Sequence, residues 1–146
     1  MHVHLIGVAG TGMSALAALL AEAGHRVSGS DTAFDPPVGP YLRELGIECL
    51  EGWNPGNLKA GPDLVVVGNV CRRDNEEAQE AMKRGLTLAS MPGSLGEHVL
   101  DARRPFVVAG THGKTTTTTL TAYLLRAVGI DAGFFIGGIP LNFERS

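Results

Sequence analysis

The chain has 146 residues, with 12 Lys plus Arg against 15 Asp plus Glu and a formal charge of −3. That balance offers no basic footprint to nucleic acid or to an anionic membrane surface, so any bound phosphate must be held by local geometry. Apolar residues make up 44%, with 20 glycines and 5% aromatics, which fits an α/β domain plus part of another.

The start, MHVHLIGV, has no basic segment ahead of its apolar run, so it lacks the form of a secretory signal. "VHLIGV" (3–8) reads as strand one. Met13 to Ala23 is a helix stopped at Gly24, and "ALAALLAEAG" (15–24) is too short to span a bilayer. "RVSGSD" (26–31) is strand two, "DPPVGP" (35–40) a turn and "YLRELG" (41–46) a short helix. "IECLEG" (47–52) is strand three. "DLVVVGN" (63–69) is apolar without alternation, as a strand buried on both faces requires. "NEEAQEAMKRG" (75–85) is a helix with acids early and bases late, started by Asp74 or Asn75 as N-cap. "LTLAS" (86–90) is strand five and "GSLGEHVL" (93–100) a short helix. Cys49 and Cys71 fall in different elements without metal-type spacing and read as reduced thiols of a cytoplasmic protein.

"DARRP" (101–105) then reads as a linker, "FVVAG" (106–110) as a new strand, Thr115 to Val128 as a new helix and "DAGFFIGG" (131–138) as a further strand and turn. The alternation predicts an α/β fold: a Rossmann-like parallel sheet with helices on both faces over 1–103, followed by the start of a P-loop α/β domain over 104–146. The second unit holds too few strands to bury its own sheet, so a fragment of a longer protein is expected, unable by itself to complete a reaction. No feature of the sequence sets an oligomeric state.

Two glycine loops carry the chemistry. "GVAGTGM" puts Gly7, Ala9 and Gly12 at the three positions of the dinucleotide pattern G-x-G-x-x-G, with Gly10 as an extra glycine. A strand precedes it and a helix follows, so backbone N–H groups at the helix start can face a phosphate. Asp31 ends strand two, where an acid meets a ribose hydroxyl in such units. Ala9 places a methyl group where the pyrophosphate of NAD would pack. In the second loop, Gly110-Thr111-His112-Gly113-Lys114-Thr115-Thr116, the strict P-loop pattern fails because Val108 stands at its first glycine. The contracted loop keeps the physics: exposed N–H groups, a lysine for the terminal phosphates and a hydroxyl for Mg²⁺. Thr117 to Thr119 receive no ligand role. Their methyls are expected to pack on a sheet and their hydroxyls to bond i−4 carbonyls.

Together, "GVAGTGMSALA" and "GTHGKTTT" resemble the Mur ligase family, the ATP-dependent amide ligases of peptidoglycan synthesis. The resemblance covers the whole chain. It implies an enzyme in which ATP phosphorylates the substrate carboxylate to an acyl phosphate that an amine then attacks. It assigns ATP to Gly110, Thr111, His112, Gly113, Lys114, Thr115 and Thr116, with Lys114 as the catalytic contact to the β/γ-phosphates and Thr115 as the Mg²⁺ ligand. It assigns UDP-N-acetylmuramate to the loop from Gly7, with Gly10, Thr11 and Gly12 at the diphosphate, Asp31 towards the uridine and Asn69 lining the crevice. "VGNVCRRDN" and "FFIGGIPLNF" look more like members taking the tripeptide L-alanyl-γ-D-glutamyl-meso-diaminopimelate than those taking L-alanine. A stand-alone nucleotide-binding module and an NAD-dependent dehydrogenase domain are the competing classes. The second loop speaks against the dehydrogenase, and the short second unit against the module.

Other residues carry plainer readings. His112 shapes its loop, His2 and His4 alternate in strand one without a third metal ligand, and His98 falls at the junction of the two units. Trp53 reads as a packing cap rather than a platform for uracil.

Overall fold

A computed structural model describes residues 1–101, 103–139 and 143. Its elements are β1 (His2–Ile6), α1 (Thr11–Glu22), β2 (Arg26–Asp31), α2 (Val38–Glu44), β3 (Glu48–Glu51), β4 (Leu64–Val67), α3 (Glu76–Lys83), β5 (Leu88–Ser90), α4 (Met91–Leu95) and α5 (Lys114–Ala127). A 3-10 turn spans Pro55–Ala60 and a π-helical turn Gly96–Leu100.

All four strand pairs are parallel, in the order β3-β2-β1-β4-β5. β1 lies at the centre, paired from His2↔Arg26 to Ile6↔Ser30 on one side and from Val3↔Leu64 to Ile6↔Val67 on the other. Side chains alternate across the sheet. Val3, Leu5, Val27, Leu64 and Val66 join Leu16, Ala17 and Leu20 of α1 and Leu42 of α2 in one buried cluster, against which Met91 and Leu95 of α4 pack. Ile6 and Val65 join Ala78 and Ala81 of α3 and Leu58 of the 3-10 turn in the other, with Trp53 packed against it as a cap. Each fully buried Leu, Ile or Val stabilises by roughly 1.5–3 kcal/mol relative to exposure, so both helical layers hold the central strand.

Local signals set the helix ends. Asn75 caps α3, its Oδ1 accepting from the Ala78 amide at 2.9 Å. Ser90 starts α4 two residues earlier than the glycine at 93, because its Oγ accepts from the Gly93 amide and Pro92 suits a first turn. The 3-10 turn, unforeseen in the sequence, begins where Asn54 Oδ1 accepts from the Gly56 amide at 2.7 Å.

The expected strands at 106–110 and 131–138 do not form: both stretches lie outside regular secondary structure. A strand exists only as part of a ladder, and among the described residues neither stretch has a neighbouring strand. Phe106 and Val107 are left 79% and 81% exposed. The closing stretch returns to the first unit instead. Phe135 packs on the α1 cluster and Ile136 is buried. Residues 140–142 and 144–146, which include part of "FFIGGIPLNF", lie outside the described residues.

Candidate functional site

In a doubly wound parallel sheet, ligands bind beyond the carboxyl ends of the strands where the strand order reverses. Here that point lies between β1 and β4. Gly7 follows β1 there, and Gly68 and Asn69 follow β4. Gly7 has φ +88°, and a Cβ on it would come within 3.1 Å of Val70 Cγ2. A glycine is therefore required both by the turn and by the closeness of the facing loop, residues 68–75. The loop is anchored to β2, since the amides of Gly7 and Val8 both donate to the Ser30 carbonyl, at 2.8 and 3.1 Å. It closes through Gly10 N–H to the Gly7 carbonyl at 3.2 Å.

Helix α1 starts at Thr11 with Gly10 as N-cap and no side-chain cap. The amides of Thr11, Gly12 and Met13 are the first-turn donors that a helix cannot satisfy internally. A Cβ on Gly12 would meet only Met91 Cε, at 3.4 Å. The predicted residues Gly7, Gly10, Thr11 and Gly12 are thus gathered at one place, with exposed Asn69 on the facing loop.

Asp31, expected towards the uridine, closes β2 beside the glycine loop. Its Oδ2 accepts from the Ala9 amide at 2.8 Å and its Oδ1 from the Thr32 amide at 2.7 Å. The carboxylate shapes the glycine loop, and the Ala9 N–H is spent inside the protein. Cys71 lies beside the same turn, its Sγ 3.5 Å from the Ile6 carbonyl. Burial pushes its thiol pKa up, so it is a poor nucleophile.

The second loop is open. Gly110 to Thr117 are all exposed. Gly113, at φ +76°, is the N-cap of α5, again without a side-chain cap. Lys114 Nζ donates to the Gly110 carbonyl at 2.7 Å and the Thr111 carbonyl at 3.2 Å, folding across the loop. His112 Nδ1 lies 3.2 Å from Thr111 Oγ1, a contact within the loop. Uncapped amides, a lysine and the Thr115 hydroxyl form a donor set that fits a triphosphate with its Mg²⁺. The i−4 bond expected of Thr117 to Thr119 belongs instead to Thr121, whose Oγ1 donates to the Thr117 carbonyl at 2.8 Å. Thr118 and Thr119 are half-buried and meet no sheet among the described residues.

Sequence reasoning missed a buried polar group on the α3 side of the sheet: His4, Ser28, Ser30 and Glu77. The available signal was period two. His4, Ser28 and Ser30 occupy sheet positions where apolar residues would be expected. His98 is found edge-on to His25, ring centroids 6.3 Å apart.

Sheet order, glycine loop and uncapped α1 define a Rossmann-like unit, followed by a second glycine loop at the head of a further helix. The chain belongs to the Mur ligase family: residues 2–103 match the Mur ligase family catalytic domain. Members of that family are ATP-dependent ligases. The chain is 40% identical over 146 residues to the UDP-N-acetylmuramate–L-alanyl-gamma-D-glutamyl-meso-2,6-diaminoheptandioate ligase of Escherichia coli (strain K12), covering all of this chain and 32% of that protein. It is 43% identical over 136 residues to the UDP-N-acetylmuramate–L-alanine ligase of Stenotrophomonas maltophilia (strain K279a), covering 93% of this chain and 28% of that one. The crystal structure of a UDP-N-acetylmuramate:L-alanyl-gamma-D-glutamyl-meso-diaminopimelate ligase from Neisseria meningitides superposes with a TM-score of 0.93 at 42% identity, over 99% of this chain and 45% of that one. The chain spans about a third of the length of the curated relatives it matches. Among the described residues, no helix is long and apolar enough to cross a membrane.

Proposed function

We propose that this chain is the UDP-sugar-binding part, with the ATP loop, of a cytoplasmic ATP-dependent ligase. That enzyme joins UDP-N-acetylmuramate to L-alanyl-γ-D-glutamyl-meso-diaminopimelate in peptidoglycan recycling. The observation that carries this reading is the presence of two separate, uncapped phosphate loops in one chain, Gly7–Gly12 and Gly110–Thr116. A single nucleotide needs one of them.

The residues divide the work. The amides of Thr11 and Gly12 take the diphosphate of the UDP-sugar at the α1 N-terminus, where the helix dipole favours negative charge. Asp31 acts there by holding the loop through the Ala9 amide, and Asn69 lines the crevice opposite. In the second loop the amides of Gly110 to Gly113 cradle the phosphates of ATP, and Lys114 exchanges its two carbonyl partners for phosphate oxygens. Thr115 would hold Mg²⁺ through its hydroxyl. ATP with Mg²⁺, when bound, supplies the phosphoryl group that activates the substrate carboxylate. Lys114, once turned to the phosphates, would stabilise the charge that develops during transfer.

L-alanine as the amine is the second reading, favoured by the 43% identity to the alanine ligase. Full-length enzyme supplied with UDP-N-acetylmuramate, ATP and either amine tests the choice. The proposal expects ADP release and amide product with the tripeptide and little with L-alanine. The reverse order would overturn it. NAD binding by the chain in place of UDP-N-acetylmuramate would overturn the ligase reading itself.

A further inference from the structure

His4 and Glu77 are fully buried, with His4 Nε2 2.5 Å from Glu77 Oε1. Ser30 Oγ donates to the same oxygen at 3.0 Å, and Asn57 Nδ2 donates to Glu77 Oε2 at 3.3 Å. On the far side of the ring, His4 Nδ1 lies 2.8 Å from Ser28 Oγ, which lies 2.9 Å from His2 Nε2. A buried ionisable pair is costly to desolvate, and well-packed apolar residues of similar volume often serve stability as well or better. The position of this group therefore calls for a reason besides stability.

Ser30 is the link to the site. Its carbonyl accepts from the amides of Gly7 and Val8, which begin the glycine loop, and its hydroxyl donates to Glu77. Glu77 also stands in the first turn of α3, directly after the loop 68–75 that forms the facing wall of the crevice. The two walls lie close together: the Gly68 amide donates to the Ile6 carbonyl at 2.9 Å, and a Cβ on Gly7 would stand 3.1 Å from Val70 Cγ2. We propose that Glu77 is a positioning residue for the diphosphate site: through Ser30 on one side and its seat at the start of α3 on the other, it sets the spacing of the glycine loop and the 68–75 loop. This rests on the reading of Gly7–Gly12 as the UDP-sugar loop.

The test uses the full chain, ¹⁵N-labelled, as wild type, Ser30→Ala, Glu77→Leu and Glu77→Gln. Calorimetry gives Kd for UDP-N-acetylmuramate, circular dichroism gives the thermal midpoint, and spectra follow the Gly7 and Val8 amides. Ser30→Ala removes only the hydroxyl link. It should weaken binding about five- to tenfold, the effect of one hydrogen bond, and shift both amide resonances. Glu77→Leu should weaken binding at least as much, and the double variant Ser30→Ala with Glu77→Leu no further than Glu77→Leu alone, because the Ser30 hydroxyl acts through Glu77. Glu77→Gln keeps an acceptor oxygen for Ser30 and should recover most of the affinity even where its midpoint falls. Unchanged Kd and unchanged Gly7 and Val8 resonances in Ser30→Ala, whatever happens to the midpoints, would reduce the group to a stabilising role and overturn the inference. So would a Glu77→Gln loss as large as that of Glu77→Leu. If Glu77→Leu fails to fold, Ser30→Ala carries the decision. A wild-type chain that does not bind UDP-N-acetylmuramate would overturn the reading of the site, and this inference with it.

Discussion

The first glycine loop rises from a strand whose residues Val3 to Ile6 are all buried, and its amides are tied to β2. The second rises from a stretch outside regular structure, and it leads into a helix whose Leu120, Tyr123 and Leu124 are each more than half exposed. Both loops end on an uncapped helix N-terminus preceded by glycine. The comparison separates two properties that a motif is easily read as offering together. The donors of a phosphate site are local and come with the loop sequence. Their rigidity comes from the sheet beneath, and here the described residues supply it to the first loop.

The sharpest break in that comparison is in stability. Leu16, fully buried beneath the first loop, should cost about 2–5 kcal/mol when changed to Ala. Leu124→Ala on the exposed α5 should stay within about 0.5 kcal/mol in this chain. Urea midpoints of both variants check the pair, and equal losses would mean that α5 is as firmly packed as α1.

Turnover sharpens the same contrast from the second loop. In the full-length enzyme Lys114→Ala should lower kcat about 10²–10³-fold, the effect of removing one preorganised charge contact, while Kd for the UDP-sugar moves less than about twofold. Thr115→Ala should act in the same direction, with weaker apparent Mg²⁺ affinity. Thr118→Val should be nearly silent, because its hydroxyl is given no ligand. Steady-state rates over a Mg²⁺ series distinguish the three. A Thr118→Val loss equal to that of Thr115→Ala would undo the division of the threonine run.

The smallest effect concerns pH and falls in the first unit. His2 is held below its ordinary value chiefly by burial, with Arg26 and His4 adding, and His25 chiefly by burial, with the N-terminal ammonium and His98 adding. Between their folded pKa values and 6.5, the unfolded chain binds more protons than the folded one. Stability should therefore rise with pH through that window and be lost on acidification. Burial pushes the Cys49 and Cys71 thiols above 9.0. The unfolded chain loses those protons first, so stability should fall again as pH rises past that value. Urea midpoints at about pH 5.5, 7.5 and 9.5 should be highest at the middle value. A midpoint still rising at the alkaline end would contradict the thiol assignment.

Much of the first unit was legible because its signals are local. "RVSGSD" became β2 over the same residues, Gly24 stopped α1 and Asn75 capped α3. Each depends on periodicity, on a glycine that can take a left-handed turn, or on a side chain bonding a backbone group within a few residues. The buried His4–Glu77 contact joins residues 73 apart in sequence, and no local pattern pairs them. Asp31 stands out in the sequence by its spacing, yet its hydrogen-bond partner, the Ala9 amide, depends on how the loop folds back over β2. "FVVAG" has the composition of a strand, but a ladder needs a neighbour, and that is a property of the whole sheet.

The central claim, that the first loop by itself holds the UDP-sugar, is tested most directly by calorimetric titration of UDP-N-acetylmuramate into the chain and its Gly12→Val variant, with thermal midpoints measured alongside. A Cβ at residue 12 has room beside the flexible end of Met91, so the fold should persist. The added branches would stand at the helix start where the diphosphate must come close to the amides of Thr11 and Gly12. The account predicts binding by the wild-type chain and none detectable by Gly12→Val at a nearly unchanged midpoint. Equal affinity in the two proteins would contradict it.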